Sequence, residues 1–283
     1  MRPISRFLFL SVATVALTAC EKEIDKEAID RSFTSVNVID ESNLNDVMLR
    51  VADPDDAVSY FKRALTQSPG RTDLQRGLAE SLTRARRNTE AAAAWKTLIA
   101  SGAATNTDRV AYADSLVRAG NWSKAQEILA TVPPTYESFN RYRLEAMIAD
   151  VNRDWARADS FYETALGLTV APAGVMNNWG YSKLTRGDYS GAERLFADAI
   201  RQDTTLFTAK NNIVLARGAQ RNYTLPVVPM TQVERAKLLH TMGLAAVKQG
   251  DVEIGTELMR DAIETHPQYF DEAVRSLRAL EKA

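Results

Sequence analysis

Ala57, Ala91, Ala125, Ala158 and Ala192 stand 34, 34, 33 and 34 residues apart, and no other feature narrows the possible folds of this chain as much. Four residues after each comes a bulky side chain: Phe61, Trp95, Leu129, Tyr162 and Phe196. Four residues is about one helical turn, so each small residue and its large partner share one helix face. Repeated at this period, the pair describes a stack of helical hairpins, each burying its apolar face against its neighbours. Such a stack has the holding of other proteins as its usual business.

Taking each alanine as position 20 of a unit starts the units at 38, 72, 106, 139 and 173, and the other packing positions fall into register. Position 8, where the first helix must approach the second closely, holds Ala79, Ala113, Ala146 and Gly180. Position 27 holds Ala64, Leu98, Val132, Ala165 and Ala199. Between the helices come Gly120-Asn121-Trp122, Arg153-Asp154-Trp155 and Gly187-Asp188-Tyr189, where glycine or a short polar residue ends the first helix. This is the tetratricopeptide signature. It predicts an all-α, helix-turn-helix solenoid wound into a right-handed superhelix, with Trp95, Trp122, Trp155, Trp179 and Phe196 in its core.

The ends of the array depart from the pattern, as end units with one neighbour do. The first unit carries Asn45 at position 8 and Asp53-Pro54-Asp55 as its turn. A sixth unit starts at Phe207, its first helix running from Lys210 to Gln220, but its second helix is replaced by Asn222-Tyr223-Thr224-Leu225-Pro226-Val227-Val228-Pro229. Two prolines there forbid a regular helix. The pattern resumes at Ala236 with Leu239, Met242-Gly243, the turn Gln249-Gly250-Asp251, then Gly255, Met259 and Ala262. A last amphipathic helix over 269–281, with Phe270, Ala273, Val274, Leu277 and Leu280 on one face, is expected to cover the open end. The expected divisions are therefore an array over 38–222, an extended insert over 223–235, and a terminal unit with its capping helix over 236–283.

Ahead of the array, residues 1–19 read as an export signal: Arg2 and Arg6, then an apolar run from Phe7 to Leu17. The run is too short to span a bilayer, which takes about 20 apolar residues. It ends in Leu17-Thr18-Ala19-Cys20, which resembles the lipobox of bacterial lipoproteins. Cys20 is the single cysteine of the chain and is followed by Glu21-Lys22-Glu23, where no packed core would hold it. The resemblance implies that Cys20 is lipidated and becomes the new N-terminus, carrying several acyl chains of the palmitate class that together anchor stably. Glu21 is not the aspartate that commonly retains such proteins at the inner membrane, which favours the outer membrane of a Gram-negative bacterium, facing the periplasm. Residues 20–37 would then be a lipidated tether, reaching roughly 55 Å if extended.

Little in the composition points to chemistry. Loss of the leader leaves 33 basic against 36 acidic residues, so no nucleic-acid footprint follows. His240 and His266 lie on opposite helices of one unit without a metal-ligand motif. Neither a phosphate-cradling loop nor a nucleophile elbow is present. The chain is read as a non-enzyme without cofactor, metal or small-molecule substrate. Its candidate site is the concave groove, lined in this fold by first-helix positions 2, 5, 9, 12 and 13. Those positions hold Arg76, Glu80, Arg84, Asp114, Val117, Arg118, Arg143, Met147, Asn177, Tyr181, Leu184, Asn211 and Leu215. Arginine and tyrosine are frequent interface anchors, which singles out Arg76, Arg84, Arg118, Arg143 and Tyr181. Asn177 and Asn211, one repeat apart at position 5, join them, whereas Asn178 and Asn212 at position 6 are read as structural.

A lipobox followed by this array resembles the TadD-type lipoproteins of tight-adherence (Flp) pilus assembly. The similarity is carried by Asn177-Asn178-Trp179-Gly180 through Gly187-Asp188-Tyr189-Ser190-Gly191-Ala192, and by the Leu225-Pro226 insert with Glu234-Arg235-Ala236 and the Gln249-Gly250-Asp251 turn. The resemblance implies an outer-membrane adaptor that binds a secretin or other pilus-assembly components. The alternative is a general periplasmic envelope scaffold, serving outer-membrane protein insertion or cell-wall enzymes.

Overall fold

The computed structural model describes residues 38–281, which form fourteen α-helices and no strand. Five helical hairpins follow one another: α1 (Val38–Arg50) with α2 (Pro54–Gln67), α3 (Thr72–Arg84) with α4 (Asn88–Ala100), α5 (Asn106–Arg118) with α6 (Trp122–Ala130), α7 (Phe139–Val151) with α8 (Trp155–Gly167), and α9 (Ala173–Thr185) with α10 (Tyr189–Gln202). Next come a lone helix α11 (Phe207–Ala219), a final hairpin of α12 (Gln232–Lys248) and α13 (Val252–Thr265), and the end helix α14 (Asp271–Leu280). The fold is the all-α tetratricopeptide solenoid that the alanine ladder predicts.

Local chemistry sets the helix ends. Asp53 caps α2 by accepting the Asp55 N–H at 2.9 Å, with Pro54 at the first helical position. Thr105 with Asp108, and Thr231 with Glu234, form reciprocal capping boxes at the starts of α5 and α12. Seven inter-helix loops use one left-handed residue: Gly102, Gly120, Gly187 and Gly250 in four of them, and Arg86, Arg153 and Arg221, at φ 57–59°, in the others. A side chain in that conformation costs about 1 kcal/mol. The turn geometry is thus imposed by the stack, since three of these loops place an arginine at the left-handed position that glycine would fill without strain.

The ladder alanines are fully buried, and Phe61, Trp95, Leu129, Tyr162 and Phe196 are at most 1% exposed. Gly180 shows why the first helix needs a small residue. A Cβ built there would lie 2.7 Å from Cε1 of Phe196 on the partner helix. The other three tryptophans differ from the core placement expected of them: Trp122, Trp155 and Trp179 are only half-buried. Trp122 and Trp155 begin their helices at the turns, where Arg186 stands over the Trp155 ring, and Trp179, midway along α9, donates its indole N–H to Asp159 at 2.5 Å. A tryptophan with one polar edge gains from such a boundary.

Between α11 and α12 the second helix of a hairpin is missing, and no helix forms from 220 to 231. Tyr223, Leu225 and Met230 instead pack against Val214, Leu238 and Met242, and the Tyr223 hydroxyl donates to Asp251. An extended strap therefore seals the core that a helix seals elsewhere. It also brings two first helices together: a Cβ on Gly218 would meet that of Ala245 at 2.5 Å. The buried ammonium of Lys210 binds Glu234 at 3.0 Å between the same two helices. At the far end α14 closes the stack by burying Phe270 and Ala273 with Ala236, Leu239 and Ala262.

Candidate partner-binding groove

Successive first helices lie side by side, and polar side chains stitch them together from unit to unit. Arg76 on α3 holds Asp108 on α5 through two bonds of 2.8 and 2.9 Å. Asp114 on α5 receives Arg118 of its own helix at 2.5 Å and Arg143 of α7 at 2.6 Å. Ser182 on α9 donates to Asp150 on α7 at 2.5 Å, and the buried Tyr162 hydroxyl donates to the same carboxylate at 2.7 Å. Asn212 on α11 donates to Asn177 on α9 at 3.0 Å, and Thr241 on α12 donates to Asn211 on α11 at 2.8 Å.

Burial and these bonds move several ionisation equilibria. Asp108 is pushed up by burial, but bonds from Arg76 and Thr105 outweigh this and hold it below the usual carboxylate range. Burial raises Asp150 despite its two hydroxyl donors. It also raises Glu80, which has only the more distant Arg76 charge in opposition.

A cavity of about 480 Å³ opens where α3, α5 and α7 adjoin. Glu80, Arg84, Asp114, Arg118 and Arg143 supply its charges, Thr107, Tyr136 and Asn140 its neutral polar groups, and Val110 and Ala111 part of its apolar wall. Trp95 lies at its base, its buried indole N–H without an acceptor among the described residues. Farther along the array the same helix face turns apolar, through Met147, Tyr181, Leu184, Leu215 and Leu244. Tyr181 is 54% exposed and Leu244 is 46% exposed.

The residues singled out from the sequence divide accordingly. Arg118, Arg143 and Arg84 meet at the cavity. Arg84 spends its guanidinium on the carbonyl oxygens of Met48, Leu49 and Ala52, at 3.0, 2.6 and 2.8 Å, and so closes the C-terminal end of α1. Arg76 is committed to Asp108, while Asn177 and Asn211 use their side-chain oxygens in the inter-helix bonds. Tyr181 stands clear of all these pairs on the apolar stretch. Leu244 was missed because the strap offsets its unit from the 34-residue register, although counting from Ala236 places it at position 9. Cys20, the leader and the tether lie outside the described residues. Among the described residues no cluster of His, Cys, Asp or Glu could hold a metal, and no helix is long and apolar enough to cross a membrane.

Residues 49–106 match the family model of the tetratricopeptide repeat. The fold is tetratricopeptide. Among solved structures, the chain is similar to one in the APC/C hetero-tetramer Cut9-Hcn1, with a TM-score of 0.61 and 10% identity over 88% of this chain and 50% of that one. It spans only half the length of that protein. A tetratricopeptide repeat protein from Parabacteroides merdae gives 0.56 and 15%, covering 91% of this chain and 98% of the other. The C-terminal part of a repeat protein from Cytophaga hutchinsonii gives 0.54 and 13%, over 83% and 98%. At such identities the likeness concerns the fold alone. No curated protein matches the chain by sequence.

Proposed function

We propose that this protein is a scaffold that binds a partner protein along the concave face of its first helices, held at the outer membrane by acyl chains on Cys20. The observation that carries the binding role is the continuous face from the charged cavity at α3, α5 and α7 to the exposed Tyr181 and Leu244. A rigid stack that leaves half-exposed apolar side chains in line on one face offers a ready interface. The repeat fold supports a protein as the partner. The lipobox ending in Cys20 supports the anchor, and the resemblance to TadD-type lipoproteins supports a role in assembling a Flp pilus secretion apparatus.

Deleting the protein should abolish surface pili, and Cys20→Ala should move it from the membrane to the soluble fraction. Normal piliation in the deletion strain would sink the pilus role. Unchanged fractionation of Cys20→Ala would sink the anchor.

A further inference from the structure

The position-9 residues change character along the array. In α3 and α5 they are Glu80 and Asp114, whereas in α7, α9, α11 and α12 they are Met147, Tyr181, Leu215 and Leu244. Each apolar rung comes from a separate helix, and packed helix axes stand about 8–10 Å apart. A polyproline II segment turns once every three residues and rises about 9.3 Å in doing so. It can therefore set one side chain on each rung with every third residue.

The groups one turn before two of the rungs favour such a backbone over a helix. Asn177 and Asn211 use their oxygens in bonds to Asn212 and Thr241, and among the described residues no bond engages their side-chain N–H groups. A polyproline II backbone has no internal hydrogen bonds, so its carbonyls are available to those donors. A helix laid along the stripe would match the rungs only at every seventh residue, and its carbonyls, engaged in its own hydrogen bonds, would leave those amides without acceptors.

The charged end fixes the remaining feature. Arg118 holds Asp114 through Nε alone, and Arg143 holds it through one terminal nitrogen, so two guanidiniums share one carboxylate. Among the described residues their other N–H donors are spare for a carboxylate: Arg118 bonds only Asp114, and the second terminal nitrogen of Arg143 has only a 3.6 Å contact with Met147 Sδ. The formal charge of the cavity residues, three arginines against Glu80 and Asp114, is positive. We infer that the groove takes an extended partner segment with apolar residues at every third position along Met147, Tyr181, Leu215 and Leu244, and an acidic residue beside Arg118 and Arg143. This rests on the reading of the concave face as the partner surface and names the segment it selects.

The test is fluorescence anisotropy of the purified full chain with synthetic peptides. The first probe is a proline-rich peptide with leucine at every third position and an aspartate at one end, made in both orientations. The second has the same composition with leucines at alternate positions, and the third is a helical peptide with leucines seven apart. One orientation of the first should bind at least tenfold more tightly than the other two probes. Tyr181→Ser and Leu244→Ser, both at exposed positions, should each weaken it at least fivefold with unchanged circular dichroism. Arg118→Ala should weaken the peptide with aspartate and leave a version with asparagine unaffected. Equal binding of all three designs, a preference for the helical one, or indifference to the variants would overturn the inference. A photo-cross-linker at position 181 in native membranes separates the two levels. A partner adduct there with no peptide preference leaves the groove reading standing and removes the segment pattern. Absence of both removes the two together.

Discussion

Gly180→Ala tests the packing that produces the stack. Gly180 lies inside α9 with helical backbone, so alanine would gain about 1 kcal/mol from helix propensity alone. Its new methyl would sit 2.7, 2.8 and 3.1 Å from three carbons of the Phe196 ring. Carbon atoms prefer separations near 3.5–4.0 Å, so the ring must retreat by roughly 0.5–1 Å. Behind it lie Ala192, Ala199, Ile200 and Ile213, all buried. Overpacking of this kind costs about 1–3 kcal/mol, leaving a net loss of about 1 kcal/mol. The sharper signature is a double-mutant cycle. In a Phe196→Leu background the ring is gone, and Gly180→Ala should stabilise by about 1 kcal/mol, so the coupling is about 2 kcal/mol. Urea unfolding followed at 222 nm reads the global change, and amide exchange in α9 and α10 reads the local one, which matters because repeat arrays open unit by unit. Equal stabilisation by Gly180→Ala in both backgrounds would refute the reasoning.

Asp108→Ala removes the partner of Arg76 and the side-chain half of the α5 capping box, leaving the bond from its own backbone N–H to Thr105, and should cost about 3 kcal/mol in urea denaturation. Because Asp108 is held below its ordinary value in the folded protein, its contribution is present above about pH 4 and is lost as pH falls through the folded value. An acid titration of the variant should therefore show a shallower loss of stability than the parent. Arg84→Ala should leave the array folded and release the end of α1, seen as faster exchange of the amides of Val51 and Ala52 and a local loss of about 1 kcal/mol. Tyr162→Phe deletes one of the two hydroxyls on Asp150 and should cost about 1 kcal/mol, with no effect on peptide binding by anisotropy.

The parts of this fold legible in the sequence are those governed by short spacings. Small and large residues four apart must share a helix face, and prolines at 226 and 229 must interrupt a helix, so hairpins and break follow from local sterics. The strap's packing did not follow, because Tyr223 and Leu225 pack against helices on both sides of it. The groove shows the same division. Register alone assigns Arg76, Arg84, Arg118 and Arg143 to the concave side, but their partners lie up to 36 residues away or are backbone carbonyls, which no pattern of residue types displays. That Tyr181 stands exposed on this face could be read from the sequence because its position is set by the period and nothing nearby competes for it. Trp122, Trp155 and Trp179 were expected to be core, since the template does not say how much of an indole edge the next unit leaves open.

The most direct test of the central claim, that the concave face holds a partner protein, is site-specific photo-cross-linking in intact cells. The cross-linker is placed at Tyr181 and, as a control, at Glu163, which is exposed on the second-helix side of the unit before it. The account predicts one defined protein adduct from position 181 and none from 163. A defined adduct from 163 alone, or the same products from both positions, would contradict it.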